Sequence, residues 1–62
     1  MLLWDIEWID ASGAPLEQQY GLDREAAEHQ AHRWLKTKPG SRVYLYRRRG
    51  EVSVLIQVWN AG

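Results

Sequence analysis

The sequence predicts a small α+β domain of order ββαββ, with one helix packed on one face of a four-stranded, mostly antiparallel sheet. Three observations predict it. Residues 2 to 9 alternate at the period of a strand, residues 24 to 38 are rich in helix formers, and two more alternating runs flank a glycine turn at Gly50. One helix can cover only one face of a sheet, so the same reading predicts a second, uncovered face.

The first strand takes its inward side from Leu2, Trp4, Ile6 and Trp8, interleaved with Leu3, Asp5, Glu7 and Ile9. "DASGAP" supplies the turn, and Ala11, Ser12 and Gly13 suit a three-residue loop. "LEQQYG" then reads as a weaker second strand. Its two large apolar residues, Leu16 and Tyr20, are expected on the inward side, with Trp8 opposite Leu16, Ile6 opposite Gln18 and Trp4 opposite Tyr20.

Asp23 precedes the helical run as a side-chain cap, Glu25 lies in the first turn where a negative charge is favoured, and Pro39 stops the helix. At 100° per residue, Ala27, Ala31, Trp34 and Leu35 gather into one narrow apolar stripe. The third and fourth strands follow. With Arg49 and Gly50 as a two-residue loop, Leu45 pairs with Val54 and Val43 with Ile56, which brings the apolar sides into line. Gly50 takes a positive φ there without a steric cost. The first and fourth strands, the longest and most apolar, are expected at the centre, in the order 2-1-4-3.

Composition narrows the function. Sixty-two residues make one small domain, and a chain of that size removes only roughly 60% of its unfolded surface from water. There is no cysteine, which rules out disulfides and thiolate metal sites as supplements to the core. Eight basic residues balance eight acidic ones, unlike a domain dedicated to phosphate backbones. The apolar start through Ile9 has no basic leader, is broken by Asp5 and Glu7, and is too short for a membrane span, so a cytoplasmic protein with no membrane contact is expected.

The run "YLYRRRGEV" at residues 44 to 52 poses the choice between a phosphate grip and a hairpin tip. Successive strand residues point to opposite faces, so Arg47, Arg48 and Arg49 do not make one flat basic patch. Arg47 is expected to lie over apolar surface opposite Val52, Arg48 to pair with Glu51, and Arg49 to sit in the turn.

The uncovered face is the candidate site. It should hold Asp5, Glu7, Arg42, Tyr44, Tyr46, Arg48, Leu55 and Trp59, with Tyr44 opposite Leu55. Tyr, Trp and Arg are enriched at interaction hot spots, and contiguous exposed apolar patches mark interaction sites. The expected partner is another protein or a second copy, bound by a non-enzymatic regulator, adaptor or inhibitor of the kind many phages and mobile elements encode. The alternative is single-stranded nucleic acid, with Tyr44, Tyr46 and Trp59 stacking bases and arginines holding phosphates. Zero net charge and the carboxylates of the same face place it second.

Chemistry has little to build on. Asp5 and Glu7, about 7 Å apart on one strand face, have a spacing that suits paired carboxylates but no substrate loop beside them. Glu25, His29 and His32 share one helical face without a ligand from a second element. No nucleophile elbow or phosphate-binding glycine loop occurs in the sequence. No catalytic residue, metal or cofactor is therefore expected.

Overall fold

The computed structural model describes residues 2–61; Met1, counted above in the apolar start, and Gly62 lie outside them. The order is ββαββ: β1 (Leu2–Ile9), β2 (Pro15–Leu22), α1 (Arg24–Thr37), β3 (Arg42–Arg49) and β4 (Val52–Asn60). All neighbouring strands are antiparallel and form one four-stranded sheet in the order β2-β1-β3-β4. The fold class is the one the sequence predicts. The strand order is not: β3, rather than β4, lies beside β1, and β4 is an edge.

The helix forms where local chemistry favours it. Asp23 accepts a hydrogen bond from the Ala26 amide at 2.7 Å, and Glu25 sits in the first turn. The buried side of α1 is Ala27, Ala31 and Trp34; the two alanines let the helix approach closely, and Trp34 fills the space left at its far end. Against them pack Ile6 of β1 and Val43 and Leu45 of β3, all fully buried. Trp8 and Trp34 stack with ring centroids 5.4 Å apart and planes 4° from parallel. Arg24 lies over the Trp4 ring at 4.9 Å, and His32 meets Trp59 at 5.5 Å. The helix thus starts beside Trp4, and its second half packs on both Trp8 of β1 and Trp59 of β4.

Two strands carry irregularities that the alternation of side chains does not announce. The first hairpin closes as expected, with the Asp10 amide donating to the Ala14 carbonyl at 2.9 Å. The Asp10 carboxylate accepts from the Ser12 amide, the Ser12 hydroxyl and the Ala14 amide, and these donors hold its pKa below the usual value, the hydroxyl most of all. Beyond the loop a register shift lies between Trp8 and Ile9, so Trp8 pairs with Glu17 and Ile6 with Gln19. Tyr20 is consequently not inward; it stands 62% exposed. A second shift follows between Trp4 and Ile6, at Gly21, whose φ of +73° is open to glycine and strained for other residues.

The β3–β4 hairpin differs similarly. Arg49 belongs to the strand and pairs with Val52, Arg47 pairs with Val54, and Gly50 with Glu51 makes the turn. A shift between Leu45 and Tyr46 then leaves Ile56 as the extra residue, so Leu45 pairs with Gln57 and Val43 with Trp59. Past Ile56 the side chains of β4 exchange faces.

Candidate functional site

On the face away from α1, β1 contributes Asp5 and Glu7, β3 contributes Arg42, Tyr44, Tyr46 and Arg48, and β4 contributes Leu55. Tyr46 is opposite Leu55, and Tyr44 is opposite Val58. Seven of the eight residues expected here are therefore brought together. The eighth is a correction: Trp59 faces the helix, where it packs half-buried against the core beside His32. The bulge at Ile56 moves it across, and Val58, 38% exposed, takes its place on the open face.

The charges on this face are organised rather than loose. Asp5 is buried, 5% exposed, and accepts three hydrogen bonds: from Arg48 Nε at 2.8 Å, from Arg48 Nη2 at 3.2 Å and from the Gly21 amide at 2.9 Å. The Gly21 bulge supplies the last donor by turning its amide toward β1. The Arg48 guanidinium, and then the Gly21 amide, hold the Asp5 carboxyl below its usual range against the opposing effect of burial. Arg48 is raised in turn by its hydrogen bonds to Asp5. The expected pairing of Arg48 with Glu51 is thus replaced by one across the β1–β3 seam, and Arg48 stands opposite Ser53.

The second seam contact repeats the pattern. The Tyr46 hydroxyl donates to Glu7 Oε1 at 3.1 Å, and burial together with the Glu7 charge pushes the Tyr46 pKa up. Arg42 Nη1 reaches the Tyr44 hydroxyl at 3.4 Å. Beside these groups lies a hollow of about 210 Å³ lined by Asp5, Ile6, Glu7, Tyr20, Tyr46 and Ser53. Tyr20 was missed as a site residue because its apolar body suggested an inward position; the Gly21 bulge next to it is the signal that could have located it.

What the face offers chemically follows from these contacts. Asp5 is consumed by Arg48 and Gly21, which leaves no pair of free carboxylates for acid–base work. Arg48 is held by Asp5, while Arg47 and Arg49 lie on the helix side with Leu2, Val52 and Val54 around a hollow of about 400 Å³. Of Arg42, Arg47, Arg48 and Arg49, the arginines that the nucleic-acid alternative would set on phosphates, Arg42 is the one on the open face that no carboxylate of the described residues holds. Tyr44, Leu55 and Val58 form a band of apolar and aromatic surface running from β3 to the edge of the sheet.

Among the described residues no group of three metal-ligating side chains comes together. His32 turns to Trp59, whereas Glu25 and His29 border a groove with Gln19 and Gln30. Among the described residues no helix is long and apolar enough to cross a membrane. Comparison of the chain with protein-family models, with curated proteins and with solved structures finds no match to any of them.

Proposed function

We propose that this chain is a non-enzymatic protein-interaction module, of regulator, adaptor or inhibitor type, which docks another protein on the open face of its sheet. The observation that carries the reading is the band of Tyr44, Leu55 and Val58, with Leu55 49% and Val58 38% exposed. An apolar strip with tyrosines beside it, with Asp5 and Arg48 already paired next to it and Arg42 at its end, has the composition of an interaction core with a polar rim. The seam contacts of Asp5 with Arg48 and Glu7 with Tyr46 fix the backing strands, so little order remains to be imposed on binding. A cytoplasmic place, and an origin in a phage or mobile element, go with the proposal.

Nucleic acid is the competing partner. Its support falls with the loss of Trp59 from the face and the commitment of Arg48 to Asp5, since stacking platforms need open aromatic rings and free cations along the strand path. The discriminating experiment is affinity capture from the native host's lysate with and without nuclease. We expect a stoichiometric protein that survives nuclease and is lost with Arg42→Ala/Tyr44→Ala, a variant confined to β3 that leaves the core untouched. Retention of nucleic acid with steep salt dependence, or capture unaffected by the double substitution, refutes the reading.

A further inference from the structure

The two edges of the sheet are unlike. β2 is blunted by Pro15 at its start, by Glu17 and by two register shifts, one of them at Gly21. β4 has none of that protection beyond the single bulge at Ile56. Its nine residues include no charge and no proline, and Val52, Val54, Leu55, Ile56 and Val58 are all exposed. A strand edge carries a row of N–H and C=O groups ready to pair with another strand, and edges are ordinarily guarded by charge, proline or cover. This one is apolar on both faces.

We propose that β4 pairs antiparallel with β4 of a second copy, joining the two sheets across a two-fold axis near Leu55 and Ile56. The proposal rests on the interaction-module reading and adds a partner to it, through the edge of the sheet rather than its open face. Self-pairing is favoured over an unrelated strand by three features of β4. It brings no like charges together, because Val52–Asn60 contains none. It also has a register that matches faces. Before Ile56 the even residues lie on the helix side, and after it the odd ones do. A two-fold between Leu55 and Ile56 therefore sets Val52 beside Trp59 of the second copy and Val54 beside its Gln57, all on the helix side. Ser53 meets Val58 on the open side. Centring the axis on Leu55 would set Val52 against Val58, which point to opposite faces.

The third feature is cover. No residue of α1 lines the corner where Leu2, Arg47, Arg49, Val52 and Val54 surround a hollow of about 400 Å³. The two-fold carries Trp59 and the end of α1 from the second copy toward that corner. Each protomer then shields the part of the apolar sheet that the other's helix does not reach, while the two open faces join into one longer surface.

The test is sedimentation equilibrium of the whole chain from micromolar to submillimolar concentration, with amide hydrogen exchange at both ends of that range. A dimer is expected whose β4 amides gain protection with concentration while those of β2 do not. Leu55→Lys places two ammonium groups near the axis and should raise the dimer dissociation constant by a factor on the order of 100, leaving the far-ultraviolet circular dichroism unchanged. Val52→Lys, at the most exposed of these positions, gives the same outcome should Leu55→Lys fail to fold. A chain that stays monomeric throughout, a dimer indifferent to both lysines, or protection confined to β2 overturns the proposal. So does β4 protection that arises only with a captured protein. A monomer that still captures a protein through Arg42 and Tyr44 defeats the dimer alone; a lysine-sensitive dimer without an open-face partner defeats the docking reading alone.

Discussion

Replacing Asp5 by alanine should be among the most damaging single changes outside the apolar core. The carboxylate is 5% exposed and takes one backbone and two guanidinium donors. Its bond from Gly21 is charge-assisted and partly buried, worth about 1.5 to 2 kcal/mol. The Arg48 side chain is 33% exposed, so the released guanidinium regains water and the ion pair counts only at about 0.5 to 1 kcal/mol. Asp5→Ala should therefore cost about 2 to 3 kcal/mol, a large part of the roughly 3 to 9 kcal/mol available to a domain of this size. Asp5→Asn retains an acceptor for Gly21 and should lose only about 1 to 1.5 kcal/mol. Urea denaturation followed by circular dichroism at neutral pH measures both. The pH dependence tests the cause: a carboxyl whose folded pKa lies below its unfolded value near 3.8 stabilises the protein fully above that value. That contribution fades as pH falls through the folded pKa, and the acid limb should flatten in Asp5→Asn. Equal midpoints for wild type and Asp5→Ala, or identical acid limbs for wild type and Asp5→Asn, refute the reasoning.

Two other outcomes follow from the same seam. Gly21→Ala meets no atom within 4 Å but forces a side chain onto a φ of +73°, so it should cost about 1 to 2 kcal/mol by strain alone, read from the same urea midpoint. Tyr46 should ionise above the ordinary tyrosine value of 10.0 in an ultraviolet difference titration, and Glu7→Gln should bring it part of the way back, since burial is the larger cause and the Glu7 charge the next. An unmoved titration in Glu7→Gln contradicts the assigned contact.

The elements were legible because each has a local cause. Alternation marks β1, Asp23 and Pro39 bracket the helical run, and the inward sides of β1 and β3 follow from Ile6, Val43 and Leu45. The bulges were not legible, since a single extra residue changes no propensity. β4 shows why: with Val54, Leu55, Ile56, Val58 and Trp59 close together, both parities are apolar, and a slip of one residue hides no charge and brings only the uncharged Gln57 to the helix side. Trp59 was accordingly assigned to the wrong face. Strand order was misread for a related reason. Length and apolarity favoured β4 at the centre, yet only β3 beside β1 gives Asp5 a cation and Glu7 a hydroxyl. Seven of the eight site residues were still located correctly on the open face, because their parity depends on β1, on β3 and on the part of β4 before the bulge.

The adjacency of β1 and β3 also dictates how the chain must assemble. Each hairpin joins neighbours in sequence and can zip on its own within about 1 to 10 μs. The central ladder is different: Asp5 and Arg48 are 43 residues apart, so about two thirds of the chain must close into a loop before they meet. Loop closure therefore makes the meeting of the two hairpins, with α1 between them, the costly step of assembly. Until that seam is made, β1 and β3 each present an open strand edge to neighbouring molecules.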